Sequence, residues 1–115
     1  MSELQERVYT NLLLDFYGPL LTENRREALT LYCEEDLSLG EIAEQLGITR
    51  QGVSDAVGKA RRQLIEYEEK LGLARRARQT REKAEKALKL LDAMEDGETV
   101  SELKKLLTDI IQIER

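Results

Sequence analysis

Residues 38–71, SLGEIAEQLGITRQGVSDAVGKARRQLIEYEEKL, constrain this chain more than any other stretch. Ser38 followed three residues later by Glu41 is a capping box, in which hydroxyl and carboxylate each satisfy a backbone N–H at a helix start. A helix is therefore expected from Leu39. Ile42, Ala43 and Leu46 recur at helical spacing to make its buried face, and Gly47 supplies the left-handed conformation that closes it. Ile48 is expected to tuck under the turn. Thr49 is placed to cap a second helix, whose Val53 and Val57 face back onto Ile42 and Leu46. Two helices crossing over a short glycine-containing turn make a helix-turn-helix, and small Ala43 permits the close contact.

The flanking segments read as further helices. Leu4, Val8, Leu12 and Phe16 step by four, with Tyr9, Leu13 and Leu14 alongside, so residues 3–17 form an amphipathic helix with a broad apolar face. Gly18 and Pro19 are expected to stop it, because proline disfavours helical geometry in the residue before it. Thr22 caps the next helix, with Glu23 in its first turn and Ala28, Leu29, Leu31 and Tyr32 on its buried face. Glu34, Glu35 and Asp36 mark its exposed end, where acids oppose the macrodipole and favour fraying. After Thr49, the positions Val53, Val57, Ala60, Leu64, Tyr67 and Leu71 alternate steps of four and three, a heptad-like seam on a long helix. Gly72 should interrupt it. Residues 73–94 then read as a basic helix with Ala77, Ala84, Leu88 and Leu91 on one side. Its Glu82–Lys86 and Glu85–Lys89 spacings suit ion pairs. Thr99 and Glu102 suggest a second capping box for a last helix with a wide apolar face.

Composition excludes several function classes. With 115 residues, the chain suits one domain with an extension. We expect a helix-turn-helix domain over residues 1–72 and a helical extension over residues 73–115, packed on that domain or on a second subunit. No run approaches the roughly 20 apolar residues a membrane span requires. The start MSELQERVYTN lacks the basic flank and apolar centre of a signal peptide, so a cytoplasmic protein is expected. The single cysteine, Cys33, has no internal disulfide partner and sits in the LTLYC run, where burial is the natural reading. Histidine is absent, which removes the commonest metal ligand and the usual general base. No enzyme, metal or cofactor is expected.

The net charge of −5 opposes phosphate binding in total, but its distribution matters more. Residues 1–48 hold ten acids against Arg7, Arg25 and Arg26, whereas residues 49–62 hold Arg50, Lys59, Arg61 and Arg62 against Asp55 alone. Residues 73–89 hold seven bases against two acids. Two basic patches thus lie in an acidic chain.

Residues 11–57 resemble the YlxM family of small bacterial proteins. Leu13, Asp15, Phe16, Tyr17, Gly18, Leu20, Leu21 and Thr22 match its opening LLxDFYGxLLT pattern, and DLSLGEIAE at residues 36–44 matches its continuation. The motif is also similar to the promoter-reading region four of bacterial sigma factors, through SLxEIAxxLGITxxxV and the later KARRQL. The YlxM resemblance implies a helical sigma-like fold and a role in the signal recognition particle pathway, through its GTPase. No catalytic site comes with the family.

In a DNA-binding helix-turn-helix, the second helix presents its N-terminal residues to base edges. Turning Val53, Val57, Ala60 and Leu64 inward leaves Gln51, Asp55, Lys59 and Arg62 outward, flanked by Gly52, Ser54 and Gly58. Gln51 suits adenine, Arg50 suits guanine or phosphate, and Lys59 suits phosphate. Asp55 is repelled by phosphate unless it accepts from cytosine or pairs with Lys59. The two glycines offer no side chain for reading bases, though they permit close approach of another backbone. The plainest reading of Arg50, Lys59, Arg61 and Arg62 is a solvated helix face. The second patch, Arg75, Arg76, Arg78, Arg81 and Lys83, reads first as an ordinary charged helix and second as a contact for RNA phosphates or an acidic protein. No interleaved aromatics provide a platform for single-stranded bases.

The expected fold is all-α: a sigma-region-four-like helix-turn-helix with a long second motif helix and a C-terminal helical extension. The leading expectation for function is a non-enzymatic binding or regulatory protein of the signal recognition particle pathway, meeting its GTPase or RNA. The alternative is a sequence-specific DNA-binding regulator using Arg50, Gln51, Ser54, Lys59 and Arg62. A third is an assembly factor with no nucleic-acid partner. Wide apolar faces on the long helix and the last helix allow a homodimer or internal packing equally.

Overall fold

In the computed structural model, which describes residues 2–113, every regular element is helical. The helices are α1 (Glu3–Tyr17), α2 (Glu23–Cys33), α3 (Leu39–Leu46), α4 (Arg50–Leu71), α5 (Leu73–Asp92) and α6 (Glu98–Ile113). They fall into two compact units, divided between Gly72 and Leu73.

In the first unit, α4 is the central member and packs against α1, α2 and α3. Its inward seam is Val53, Val57, Ala60 and Leu64, with Val53, Ala60 and Leu64 fully shielded from solvent. Leu13 and Tyr17 from α1, Leu29 from α2 and Ile42 from α3 complete the core. Tyr17 carries its hydroxyl into this core and donates to Glu68 Oε1 at 2.6 Å, while its ring lies against Tyr67 with centroids 5.8 Å apart. The hydrogen bond answers the polar handle of a buried tyrosine.

The helix ends follow local chemistry. Ser2 and Gln5 form a capping box on α1, and Thr22 caps α2. The α-helix α1 stops at Tyr17, as Gly18 and Pro19 lead one to expect, but Gly18 keeps a helical φ −49° and ψ −45° and Gly18–Leu20 continues as a single 3-10 turn. Glycine has no Cβ to meet the proline ring, so the usual restriction is relaxed. Beyond α2, Asp36 adopts a left-handed φ of 54° and its carboxylate pairs with Arg7, whose guanidinium carbon lies 4.3 Å from the Tyr32 ring centroid. The acidic end of α2 is therefore partly tied to α1 rather than wholly solvated. Cys33 is half-buried, and burial raises its thiol pKa.

The second unit is a hairpin of α5 and α6. Lys104 reaches back to Asp92 and Asp96 at 3.2 and 3.5 Å, closing the turn. The Thr99–Glu102 box does not form. The Ser101 N–H donates to the Gly97 carbonyl at 2.9 Å, so α6 starts at Glu98 and Thr99 already lies in its first turn. Glu82 and Glu85 pair backward, with Arg78 at 3.1 Å and Arg81 at 2.9 Å, instead of forward with Lys86 and Lys89. Leu103, Leu106, Ile110 and Ile113 form an exposed apolar stripe on α6, and Leu4, Val8 and Leu12 form another on α1. Among the described residues, no helix is long and apolar enough to cross a membrane.

Candidate nucleic-acid interface

Helices α3 and α4 hold the turn as their sequence requires. Ser38 accepts from the Glu41 N–H, and the Glu41 carboxylate accepts from the Ser38 N–H, both at 3.1 Å. Those bonds hold the Glu41 carboxyl below its ordinary pKa. Gly47 takes φ 69° and ψ 32°, and Thr49 accepts from the Gly52 N–H at 3.0 Å to start α4. Ile48 is less tucked than expected, being 46% exposed at the rim of a recess shared with Ala28, Leu46 and Ala56.

The outward face of α4 carries Gln51, Ser54, Asp55, Lys59 and Arg62, all exposed. Asp55 does not pair with Lys59. Gln51 Nε2 donates to Asp55 Oδ1 at 3.1 Å, which engages the Gln51 amide nitrogen and one oxygen of the carboxylate. Arg50 folds back along α3: a Cβ placed at Gly40 would come within 2.9 Å of its Nη2. Its guanidinium lines a cleft with Glu41 and Glu44, separate from the outward row of α4. Arg61 is half-buried and acts electrostatically on the Cys33 thiol, so it does not join that row. A Cβ at Gly58 would meet only the far end of Arg62, at 3.7 Å, and one at Gly52 would meet Thr49 Oγ1 and Ile48. Neither glycine has another helix's backbone against it, so both keep the outer face of α4 low and open.

The row does not stop at Arg62. Gln51, Asp55, Lys59, Arg62, Glu66 and Lys70 follow one another at steps of three and four along the helix. Its C-terminal half borders a groove of about 420 Å³, where Arg25 of α2 joins Lys59, Arg62 and Lys70. Arg25 Nη1 donates to Gln63 Oε1 at 2.9 Å, and Gln63 Nε2 donates to the Tyr67 hydroxyl oxygen at 3.0 Å. Sequence reasoning passed over Arg25, Gln63 and Lys70. The spacing from Gln51 to Lys70 was a usable signal, whereas the approach of Arg25 is tertiary and leaves no mark in the sequence.

The second basic patch is a weaker assembly. Arg78 and Arg81 are in ion pairs with Glu82 and Glu85. At 100° per residue, Arg76 and Lys83 share one side of α5, while Arg75 and Arg78 share another. The five cations therefore spread over roughly 220° of α5, away from buried Ala77 and Ala84, instead of forming one narrow face. Among the described residues no group of histidine, cysteine and carboxylate side chains is arranged to hold a metal ion.

A capped, left-handed turn between α3 and a long, outward-polar α4 defines the helix-turn-helix class of all-α proteins. The family model for UPF0122, the YlxM/p13-like helix-turn-helix proteins, matches residues 4–110. The chain belongs to this family. A UPF0122 protein of Desulforamulus reducens is 48% identical over 95 residues, covering 83% of this chain and 81% of the relative. One from Thermoanaerobacter sp. is 41% identical over 103 residues, covering 90% and 88%. One from Acetivibrio thermocellus reaches 56% identity over 69 residues, covering 59% of each.

Proposed function

We propose that this chain is a non-enzymatic, cytoplasmic binding protein that engages double-stranded DNA through the outward face of α4. The observation that carries this reading is the exposed row of Gln51, Ser54, Lys59 and Arg62 on a helix whose opposite face is fully committed to the core. Gln51 and Ser54 lie in the first turns, where a recognition helix meets base edges, and Lys59 and Arg62 lie where it meets phosphates. Arg50 acts at the rim, since its guanidinium must leave the α3 surface to reach a base. The test is binding of a labelled mixed-sequence duplex across a salt series. Lys59→Gln with Arg62→Gln should flatten the dependence of log affinity on log salt by about 0.9 per lost contact. A slope unchanged by both substitutions would remove this face from the interface.

The signal recognition particle pathway is the second reading, carried from the resemblance and supported by the exposed Arg76 and Lys83 on one side of α5. It expects the purified GTPase or particle RNA to bind this chain and to lose affinity when those two residues become glutamine. For the α6 stripe, the proposed cover is a second copy of this chain, which light scattering on the purified protein tests directly.

A further inference from the structure

The recognition row of α4 leads into the groove between α4 and α2, and nothing in a base-reading role accounts for what gathers there. Arg25, Lys59, Arg62 and Lys70 converge on one groove, against the single acid Glu66. Among the described residues none of the four cations is in an ion pair. Unlike an isolated surface cation, Arg25 has an orienting partner: Gln63 accepts from the guanidinium with its amide oxygen and donates to Tyr67 with its amide nitrogen. Tyr67 is in turn braced by the buried ring of Tyr17. A neutral glutamine orients the arginine without cancelling its charge, so most of the fork of donors stays available to an anion.

We infer that this groove is a phosphate track, which carries the DNA backbone past the C-terminal half of α4, with Arg25 as its fixed donor and Lys70 as its far end. The inference rests on the DNA-binding reading and extends it from α4 alone to α2. From Lys59 to Lys70 the helix rises about 17 Å, long enough to follow the backbone beyond the residues that enter the major groove. Phosphate contacts fix the register of a protein on the duplex and carry no sequence information, which suits a row of cations with few base-reading amides. Glu66 lies within the track, between Arg62 and Lys70, and is the one acid a phosphate must pass there.

The test compares Arg25→Gln, Lys70→Gln and Gln63→Ala with the unaltered protein, on two duplexes of unrelated sequence, over a salt series. Lys70 is exposed near the end of α4, so its replacement reads the track even if the Arg25 variant is destabilised. Arg25→Gln and Lys70→Gln are each expected to weaken binding to both duplexes by the same factor and to reduce the salt slope by about 0.9. Gln63→Ala should weaken binding while leaving the slope nearly unchanged, because it removes the positioning and keeps the charge. If Lys59→Gln weakens binding but Arg25→Gln and Lys70→Gln do not, the track is wrong and the recognition-face reading survives. If the unaltered protein binds neither duplex at low salt, both fall together.

Discussion

At the scale of single residues, the turn and its caps set what the site can be. Gly47 sits at φ 69° with open space where a Cβ would go, so its requirement is backbone conformation alone. Gly47→Ala should therefore cost about 1 kcal/mol, and Gly47→Asn less, as read by urea unfolding. Gly58 is the opposite case. It lies in the interior of α4 with only the tip of Arg62 near, so Gly58→Ala should stabilise the protein by up to about 1 kcal/mol. Loss of stability in that variant would mean the outer face of α4 is less open than its geometry indicates. Glu41 adds a pH dependence. Its folded-state pKa is lowered by hydrogen bonds from Ser38, so its contribution is present above the ordinary carboxylate range and is lost as pH falls through the lowered value. Glu41→Gln preserves the capping geometry and should reduce the acid-side fall in stability, measured by unfolding at matched pH values.

At the scale of elements, α4 does two jobs at once, as core spine and as outward row. Leu64 is fully buried on its inner side, and Leu64→Ala should cost roughly 2–5 kcal/mol in denaturant unfolding. Capping boxes, glycine turns and apolar periodicity act within a few residues, which is why α1 to α4, the Gly47 turn and the Gly72 stop were legible in the chain. What escaped depends on competition between nearby partners. Asp55 has Lys59 four residues on, yet Gln51, four residues before, takes it. Glu82 and Glu85 likewise choose the arginines behind them over the lysines ahead. Equal spacing in both directions leaves such choices open. The Thr99 box failed for a similar reason: Gly97, two residues earlier, offered its carbonyl first, and the Lys104 bridges to Asp92 and Asp96 hold the turn in place.

At the scale of the whole molecule, the proposed DNA contact sets an acidic chain against a polyanion, and the arrangement of charge decides whether that works. Arg7 is spent on Asp36 and Tyr32, Arg61 turns inward, and Arg78 and Arg81 are paired along α5. Lys59, Arg62 and Lys70, with Arg25 from α2, remain together on one side of the first unit. Distance along the sequence hid that grouping, because Arg25 and Lys70 are joined only by the packing of α2 on α4. The acids elsewhere should confine binding to one orientation, since any other approach presents carboxylates to phosphate.

The most direct measurement is duplex DNA affinity of Asp55→Arg against the unaltered protein, by fluorescence anisotropy at low and physiological salt. Asp55 is exposed at the middle of the outward face, so its replacement leaves the core untouched. If that face meets the duplex, charge reversal should tighten binding several-fold at low salt and steepen the salt dependence by about 0.9 or more. Affinity and slope that do not change with Asp55→Arg would contradict a DNA interface on α4.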